Sequence, residues 1–398
     1  MIALLLQPEV QQFILEHEQD DEKKLILKHR TIHNVPSSLI AEQIIGRRKA
    51  KTKLPLYYSN TGVVYPPGVN LEQSSSEETA IFKAKTLKSI VGANTEIADM
   101  TGGFGIDSFF FSRVFKKIHY IEPNASLLSF ARHNHEALHA ENIDYCNATA
   151  EEFLKTYPKN LDCVFVDPSR RNKSNQKVFK LSDCEPDVPS LLLNIFQKSD
   201  CLLIKTSPLL DIQQGIKELK NVEKVWVISV DNECKELLFF CRKDFSGEVK
   251  VIAINLRHDH VNFEFRPSEE KETVAKFSEP LTYLYEPNAS ILKAGAFKLV
   301  GEKFSVFKLH SSTHLYTSNE LIQNFPGRVF KTIRAVKPDS KSLKEVFPEG
   351  KANVLTRNYP QSPEELKKKT KLKDGGEFYL LGFSSQKEKC LIAAARIK

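Results

Sequence analysis

The sequence predicts an α/β protein built on a parallel sheet with helices on both faces. Three observations carry that prediction. Strand and helix patterns alternate from residue 88 to 245, as expected of successive crossover units. Within this stretch a short apolar strand, 95–98, runs through Asp99 into Thr101, Gly102, Gly103 and Gly105. Glycines at a strand-to-helix turn let backbone approach a ligand where a Cβ would clash. About 20 residues on, a second strand, 118–121, ends in Glu122, where a carboxylate suits the hydroxyls of a ribose. A nucleoside-bearing ligand is implied.

The elements follow in order. Residues 1–50 pattern as helices: Pro8 precedes an amphipathic stretch, Val10 to His17, and helical periodicity continues through Leu25 and Ile44. Arg47, Arg48, Lys49, Lys51 and Lys53 form a basic run, either a solvated helix face or a contact for a phosphate backbone. A proline-rich aromatic connector spans 54–70, and in 71–87 serines and glutamates are set to cap a helix leading into the first strand. Strands are expected at 95–99, 118–122, 143–147, 162–167, 201–205, 225–230 and 235–241, the last two as an antiparallel pair. The fourth is apolar throughout, as befits a strand covered on both faces, and ends in Asp167-Pro168-Ser169-Arg170. From 249 onward further strands recur, and 284–300 (LYEPNASILKAGAFKLV) reads as a loop and a helix. The final block carries a strand at 328–336, a helix at 362–369, and strands at 377–382 and 390–396. This divides the chain into a helical region with its connector (1–87), the α/β domain (88–247), an α+β region (248–323) and a basic C-terminal domain (324–398).

Bulk properties narrow the class. With 398 residues, 41% apolar and 27% charged, the chain is expected to be soluble, globular and of two or three domains. No window approaches the roughly 18 consecutive apolar residues of a membrane span, and the start, MIALLLQPEV, is a poor signal peptide. Seven scattered cysteines without a C-x-x-C pair suit reduced thiols in the cytoplasm. The net charge of +7 is unevenly placed: 324–398 holds 17 Lys and Arg against 8 Asp and Glu. Such asymmetry points that end of the chain toward a polyanion. No metal site is expected. His133, His135 and His139 share one helix, but without an E-x-x-H partner they read as solvated.

These motifs together resemble class I S-adenosylmethionine-dependent methyltransferases. Members carry an acid and spaced glycines after strand one, an acid ending strand two, and a D/N-P-P-x signature ending strand four. Here these read Asp99-Met-Thr-Gly-Gly-Phe-Gly105, Glu122 and Asp167-Pro-Ser-Arg170. Thr101 stands at the first glycine and Ser169 at the second proline. The G-x-G-x-x-G of dinucleotide dehydrogenases is not matched. LEQSSSEETA, DPSRR, YEPNASILKAGAF (285–297) and 353–383 further resemble a bacterial family with ferredoxin-like and THUMP-like modules behind the methyltransferase core. THUMP-type modules imply RNA modification, with tRNA or rRNA as the partner. The implied fold is a Rossmann-like seven-stranded methyltransferase sheet with an N-terminal helical region and a C-terminal α+β module.

The resemblance also implies roles. The glycine turn would hold the methionine part of S-adenosylmethionine, Asp99 its ammonium, and Glu122 both ribose hydroxyls. Gln73 to Ser76 sit where relatives close over the methionine end, unless they serve capping alone. Relatives often read the adenine amino group with an Asp after strand three; Asn147 or Thr149 stands there. Asp167, Pro168, Ser169 and Arg170 would form the catalytic corner. Arg171 and Arg170 either contact substrate, by stacking or on phosphate, or pair with Asp183 or Glu185. Lys205, a charge at a strand end, faces either the site mouth or solvent. Enzymes that methylate C5 of pyrimidines need a cysteine after strand four or five, and neither Asp167-Pro-Ser nor Lys205-Thr-Ser-Pro208 supplies one. The leading expectation is therefore an RNA methyltransferase acting at a nitrogen by direct in-line transfer. The alternatives are a small-molecule or protein methyltransferase, and a non-catalytic RNA-binding protein on the same fold.

Overall fold

The computed structural model describes residues 1–68, 71, 74–170, 180–257 and 262–397. The chain divides into two compact units: Met1–Val222 with Phe239–Ser246, and Glu223–Leu238 with Gly247–Lys398.

The first unit holds the sheet that carries the motifs. Its strands are β1 (Glu96–Asp99), β2 (Lys117–Ile121), β3 (Ile143–Cys146), β4 (Cys163–Val166) and β5 (Cys201–Thr206), in the spatial order β5-β4-β1-β2-β3 and parallel throughout. Helices Glu77–Val91, Ile106–Ser112, Ala125–Ala137, Ala150–Thr156 and Val188–Lys198 lie between or before them, as parallel pairing requires. The entry helix starts at Ser76, whose hydroxyl accepts from Thr79 N at 3.3 Å, and Thr149 with Glu152 forms a reciprocal cap on the helix after β3. β4 is buried along its whole length, which explains its unbroken apolar run.

The N-terminal helices build their own apolar cluster around Leu5, Val10, Ile14, Ile40 and Ile44. His33 and Asn34, both at positive φ, turn a small hairpin between Thr31–Ile32 and Val35–Pro36. The basic run matches neither expectation at its first two residues. Arg47 is buried against Glu18 at 3.2 Å with its guanidinium 4.8 Å from the Tyr58 ring, and Arg48 pairs with Glu22. The connector is locked rather than loose. Gln43 donates to Tyr65 O at 2.6 Å and accepts from Tyr65 N at 2.8 Å, and Asn134 pairs with both backbone groups of Val64 at 2.8 and 2.9 Å. Two amide side chains thus do for this segment what a neighbouring strand would do.

Next in the chain, β6 (Val222–Val230) and β7 (Glu233–Arg242) are neighbours joined through Asp231 and Asn232, both at positive φ. That is the two-residue turn favoured in antiparallel hairpins. β8 (Lys250–Leu256) runs parallel to β6, and β9 (Phe263–Phe265) antiparallel to β8. A separate seven-stranded sheet follows, made of β10 (Tyr283–Pro287), β11 (Phe307–His310), β12 (Thr313–Ser318), β13 (Gly327–Ala335), β14 (Asn353–Arg357), β15 (Phe378–Ser384) and β16 (Lys389–Arg396), in the order β11-β12-β10-β13-β16-β15-β14. The stretch read from sequence as a loop and a helix begins as strand β10, then the helix Ala289–Ala294 capped by Asn288 and closed by Gly295. One face of this sheet packs Leu284, Leu309, Leu315, Phe330 and Ile392, and the other packs Leu343, Phe347, Leu366, Leu380 and Leu391. Buried Glu286 on β10 pairs with Arg328 of β13 and, at 2.5 Å, with Arg357 of β14. Among the described residues, no helix is long and apolar enough to cross a membrane.

Candidate functional site

From β3 the chain crosses over to β4 on the far side of β1, so strand order reverses between β1 and β4. In such sheets ligands bind beyond the strands' carboxyl ends at this reversal. A cavity of about 510 Å³ opens there, lined by Asp99, Thr101, Gly102, Gly103, Gly105, Glu122, Thr149, Asp167 and Ser169, with Ser74, Ser75, Asp107, Glu185 and Pro186 among the other walls.

Asp99 closes the end of β1. Its carboxylate accepts from Ser108 Oγ at 2.6 Å and from Thr101 N at 3.1 Å, both neutral donors. Burial pushes the carboxyl up to about 7, against the opposing pull of the Ser108 hydroxyl. Thr101, in place of the usual glycine, has a task of its own: its Oγ accepts from Asp167 N at 2.7 Å. Met100 N donates to Phe165 O at 3.0 Å. The loops after β1 and β4 are therefore sewn together.

The three glycines serve different ends. A Cβ on Gly102 would fall inside the Tyr120 ring, and a Cβ on Gly105 (φ +84°) would sit 2.5 Å from His135 Nε2. These two are dictated by protein neighbours rather than by a ligand. Gly103 (φ +57°) has nothing nearer than Thr101 O at 3.6 Å, leaving open space where a side chain would project. His135 is fully buried, not solvated as its sequence context suggested. Its Nε2 donates to Gly105 O at 2.9 Å while Tyr145 donates to Nδ1 at 3.0 Å, and burial holds its titration down to about 4. Tyr120 OH donates to Gly103 O at 2.6 Å, and buried Tyr57 from the N-terminal region packs edge-on to Phe109, with ring centroids 5.5 Å apart. The turn is clamped from behind by aromatic side chains.

Glu122, at the end of β2, accepts from Gly103 N at 2.9 Å and Asn124 N at 2.8 Å. A carboxylate has about four acceptor sites, so capacity remains for hydroxyls. Asn147 spends its amide on the carbonyls of Glu122 and Pro123, both at 2.9 Å, and does not line the cavity; Thr149 does. At the far corner, Lys205 is buried and ion-pairs with Asp167 Oδ2, so it is not a surface lysine. Pro168 is buried, and Ser169–Arg170 pairs antiparallel with Cys184–Glu185. Gln73 and Arg171 lie outside the described residues. Lys83 and Asp107 went unnoticed in the sequence, and they meet Ser75 of the Gln73 to Ser76 segment: Lys83 Nζ lies 3.1 Å from Ser75 Oγ and 3.2 Å from Asp107 Oδ1, and Ser75 donates to Asp107 Oδ2 at 2.7 Å. No metal-ligating cluster occurs among the described residues.

A crystal structure of a candidate methyltransferase from Porphyromonas gingivalis W83 superposes with a TM-score of 0.85 at 30% identity, over 98% of this chain and 97% of that one. The chain belongs to this methyltransferase-fold family. Its C-terminal part matches the family models for a ferredoxin-like domain at residues 283–326 and for a THUMP-like domain at 327–396. An uncharacterised RNA methyltransferase of Mycoplasma mobile is 24% identical over 129 residues, 32% of this chain and 35% of the relative. The matched region is thus about a third of that relative's length.

Proposed function

We propose that the protein transfers a methyl group from S-adenosylmethionine to a base nitrogen of RNA, directly and without a covalent cysteine intermediate. The observation that carries this reading is the convergence of Asp99, Gly103, Glu122 and Asp167 on one cavity at the strand reversal.

The cavity fits the cofactor. Asp99 is a buried carboxylate whose donors are both neutral, an arrangement that favours a cationic ligand group. Gly103 leaves open space beside it, and Glu122 keeps acceptor capacity for ribose hydroxyls. Thr149, at the cavity wall, is the better placed of the two residues considered for the adenine amino group. S-adenosylmethionine supplies an electrophilic methyl on a sulfonium. The chain's part is to position and to accept a proton. Asp167, half-exposed and tethered through Lys205 and Thr101, presents a fixed carboxylate to an N–H of the incoming base. Ser169 lines the cavity at that corner, and Arg170 and Arg171, next in sequence, are assigned as substrate contacts. No cysteine lines the cavity among the described residues, and burial pushes the Cys163 and Cys241 thiols up, away from nucleophilic thiolate. The Mycoplasma relative's RNA assignment and the basic THUMP-like module support RNA as substrate, with the cytoplasm as the place of action.

The test is methyl incorporation from labelled cofactor into RNA of cells lacking the protein. Wild type should label that RNA and Asp167→Ala should not. Label in protein or small molecules, with RNA untouched, would replace this reading.

A further inference from the structure

Six acids line the cavity, Asp99, Asp107, Glu122, Glu151, Asp167 and Glu185, and among the described lining residues there is no lysine or arginine. Four of the six are engaged. Asp99 accepts from Ser108 and Thr101, Glu122 from Gly103 and Asn124, Asp107 from Ser75, and Asp167 holds the Lys205 ammonium. The side chains of Glu151 and Glu185 have no hydrogen bond or ion pair among the described residues. Glu151 lies in the first turn of the helix capped by Thr149, at the end assigned to the adenine. Glu185 stands at the catalytic corner, and the backbone fixes it there. Ser169 lies directly opposite Glu185 in a short antiparallel ladder, so the two side chains share a face. Pro186 follows, buried and itself part of the wall, and Asp187 then caps the helix Val188–Lys198 by accepting from Ser190 N at 3.3 Å. Asp167 precedes Ser169 by two residues. Such a stretch spans at most about 7 Å and an opposed pair about 5 Å, which brings the Asp167 and Glu185 backbones within about 12 Å. The reach of an aspartate and a glutamate closes that gap around one planar base.

We propose that Glu185 is the catalytic base of the transfer and takes the proton that the methylated nitrogen has to lose. The proposal rests on the RNA-methylation reading above and deepens it. Two carboxylates divide the work. Asp167 has its charge matched by Lys205, which suits it to orient an N–H rather than to carry a proton away. Glu185 has no counter-ion among the described residues and is exposed, so a proton taken there can leave the site. In the step itself, the lone pair of the target nitrogen forms the new bond to the methyl carbon. The carbon–sulfur bond breaks with its electrons going to sulfur, which becomes neutral, and the positive charge passes to the nitrogen. The nitrogen's proton then moves to a Glu185 oxygen and on to water. A nitrogen bearing that charge is strongly acidic, so a carboxylate is base enough. With no lysine or arginine in the described wall, nothing there repels the charge as it forms.

The test uses the full-length protein, labelled S-adenosylmethionine and RNA from cells lacking the protein. Methyl transfer is followed in a single turnover at saturating RNA and cofactor. Glu185→Gln, equal in size and unable to take a proton, should slow transfer by about 100-fold. Its RNA affinity in filter binding should stay within about twofold of wild type. Glu185→Ala should be equally slow, and added formate should restore part of its rate where chloride at the same ionic strength does not. Both variants should melt with wild type, because an exposed side chain without a described partner is being replaced. An unchanged rate in Glu185→Gln overturns the proposal. So does a loss of RNA affinity of about tenfold or more with the saturated rate intact, which makes Glu185 a binding residue only. An alanine variant that formate leaves slow overturns it as well. In all three cases wild type still labels RNA, and the RNA-methylation reading stands. RNA left unlabelled by wild type removes that reading and this proposal with it.

Discussion

Asp99→Asn should make the ligand-free protein more stable above neutral pH while destroying its capacity for the cofactor. The carboxyl moves from an ordinary value of 3.8 to about 7 on folding, chiefly through burial. Between these values the folded chain holds a proton that the unfolded chain has released. Stability from this group therefore falls as pH rises from about 4 to about 7, at roughly 1.4 kcal/mol per pH unit, and then levels off. The accumulated cost above pH 7 is on the order of 4 kcal/mol. An asparagine carries no such charge; its oxygen can still accept from Thr101 N, and its amide can meet Ser108 Oγ, which now donates to Asp99. Thermal unfolding of wild type and variant at pH 4 and pH 8 reads the effect. Near-equal midpoints are expected at pH 4, and at pH 8 the variant should be higher by about 2–8 °C. Added S-adenosylmethionine should then raise the wild-type midpoint and leave the variant's unmoved. A variant less stable than wild type at pH 8 would refute the buried-charge reasoning.

Other consequences follow from the same geometry. Cofactor affinity should rise with pH up to about 7 and then flatten, because the ammonium needs the ionised Asp99; calorimetry at pH 7 in two buffers should show release of about half a proton. Gly103→Ala should cost only about 1 kcal/mol of backbone strain yet block binding, whereas Gly102→Ala should destabilise by at least about 3 kcal/mol through collision with Tyr120; comparing midpoints and ligand shifts separates them. Thr101→Val removes the acceptor for Asp167 N and should lower methyl transfer with little change in cofactor affinity, at a stability cost of about 1–2 kcal/mol. RNA binding should weaken steeply between low and physiological salt if the basic C-terminal module meets phosphates, which filter binding across a salt series would read.

How far these features could be read from the chain depended on whether the signal was local. The seven strands β1 to β7 stand out because each is an apolar run bounded by turn residues, and the structure places them within three residues of the expected limits. Strand β10 was hidden because Glu286 and Pro287 interrupt it, and its burial depends on partners at Arg328 and Arg357, far away in sequence. The hairpin of β11 and β12 and the parallel strand β14 went unread for a related reason: short strands rich in Lys, His, Ser and Thr owe their burial to the sheet around them. At the site, the acids and glycines announce themselves by spacing along adjacent strand ends. What stiffens them does not. His135 looks solvated until Gly105 is seen to pack against its ring, and Arg47 looks either solvated or set to meet a phosphate until Glu18 is found beside it. The charge of Lys83 gives no hint of burial, since only the third dimension brings Ser75 and Asp107 to it.

Titration of the full-length protein with S-adenosylmethionine, followed by calorimetry, is the most direct test. One ligand per chain with a dissociation constant in the micromolar range is expected, lost in both Asp99→Asn and Glu122→Ala. A folded wild-type protein giving no heat at millimolar ligand would contradict the account.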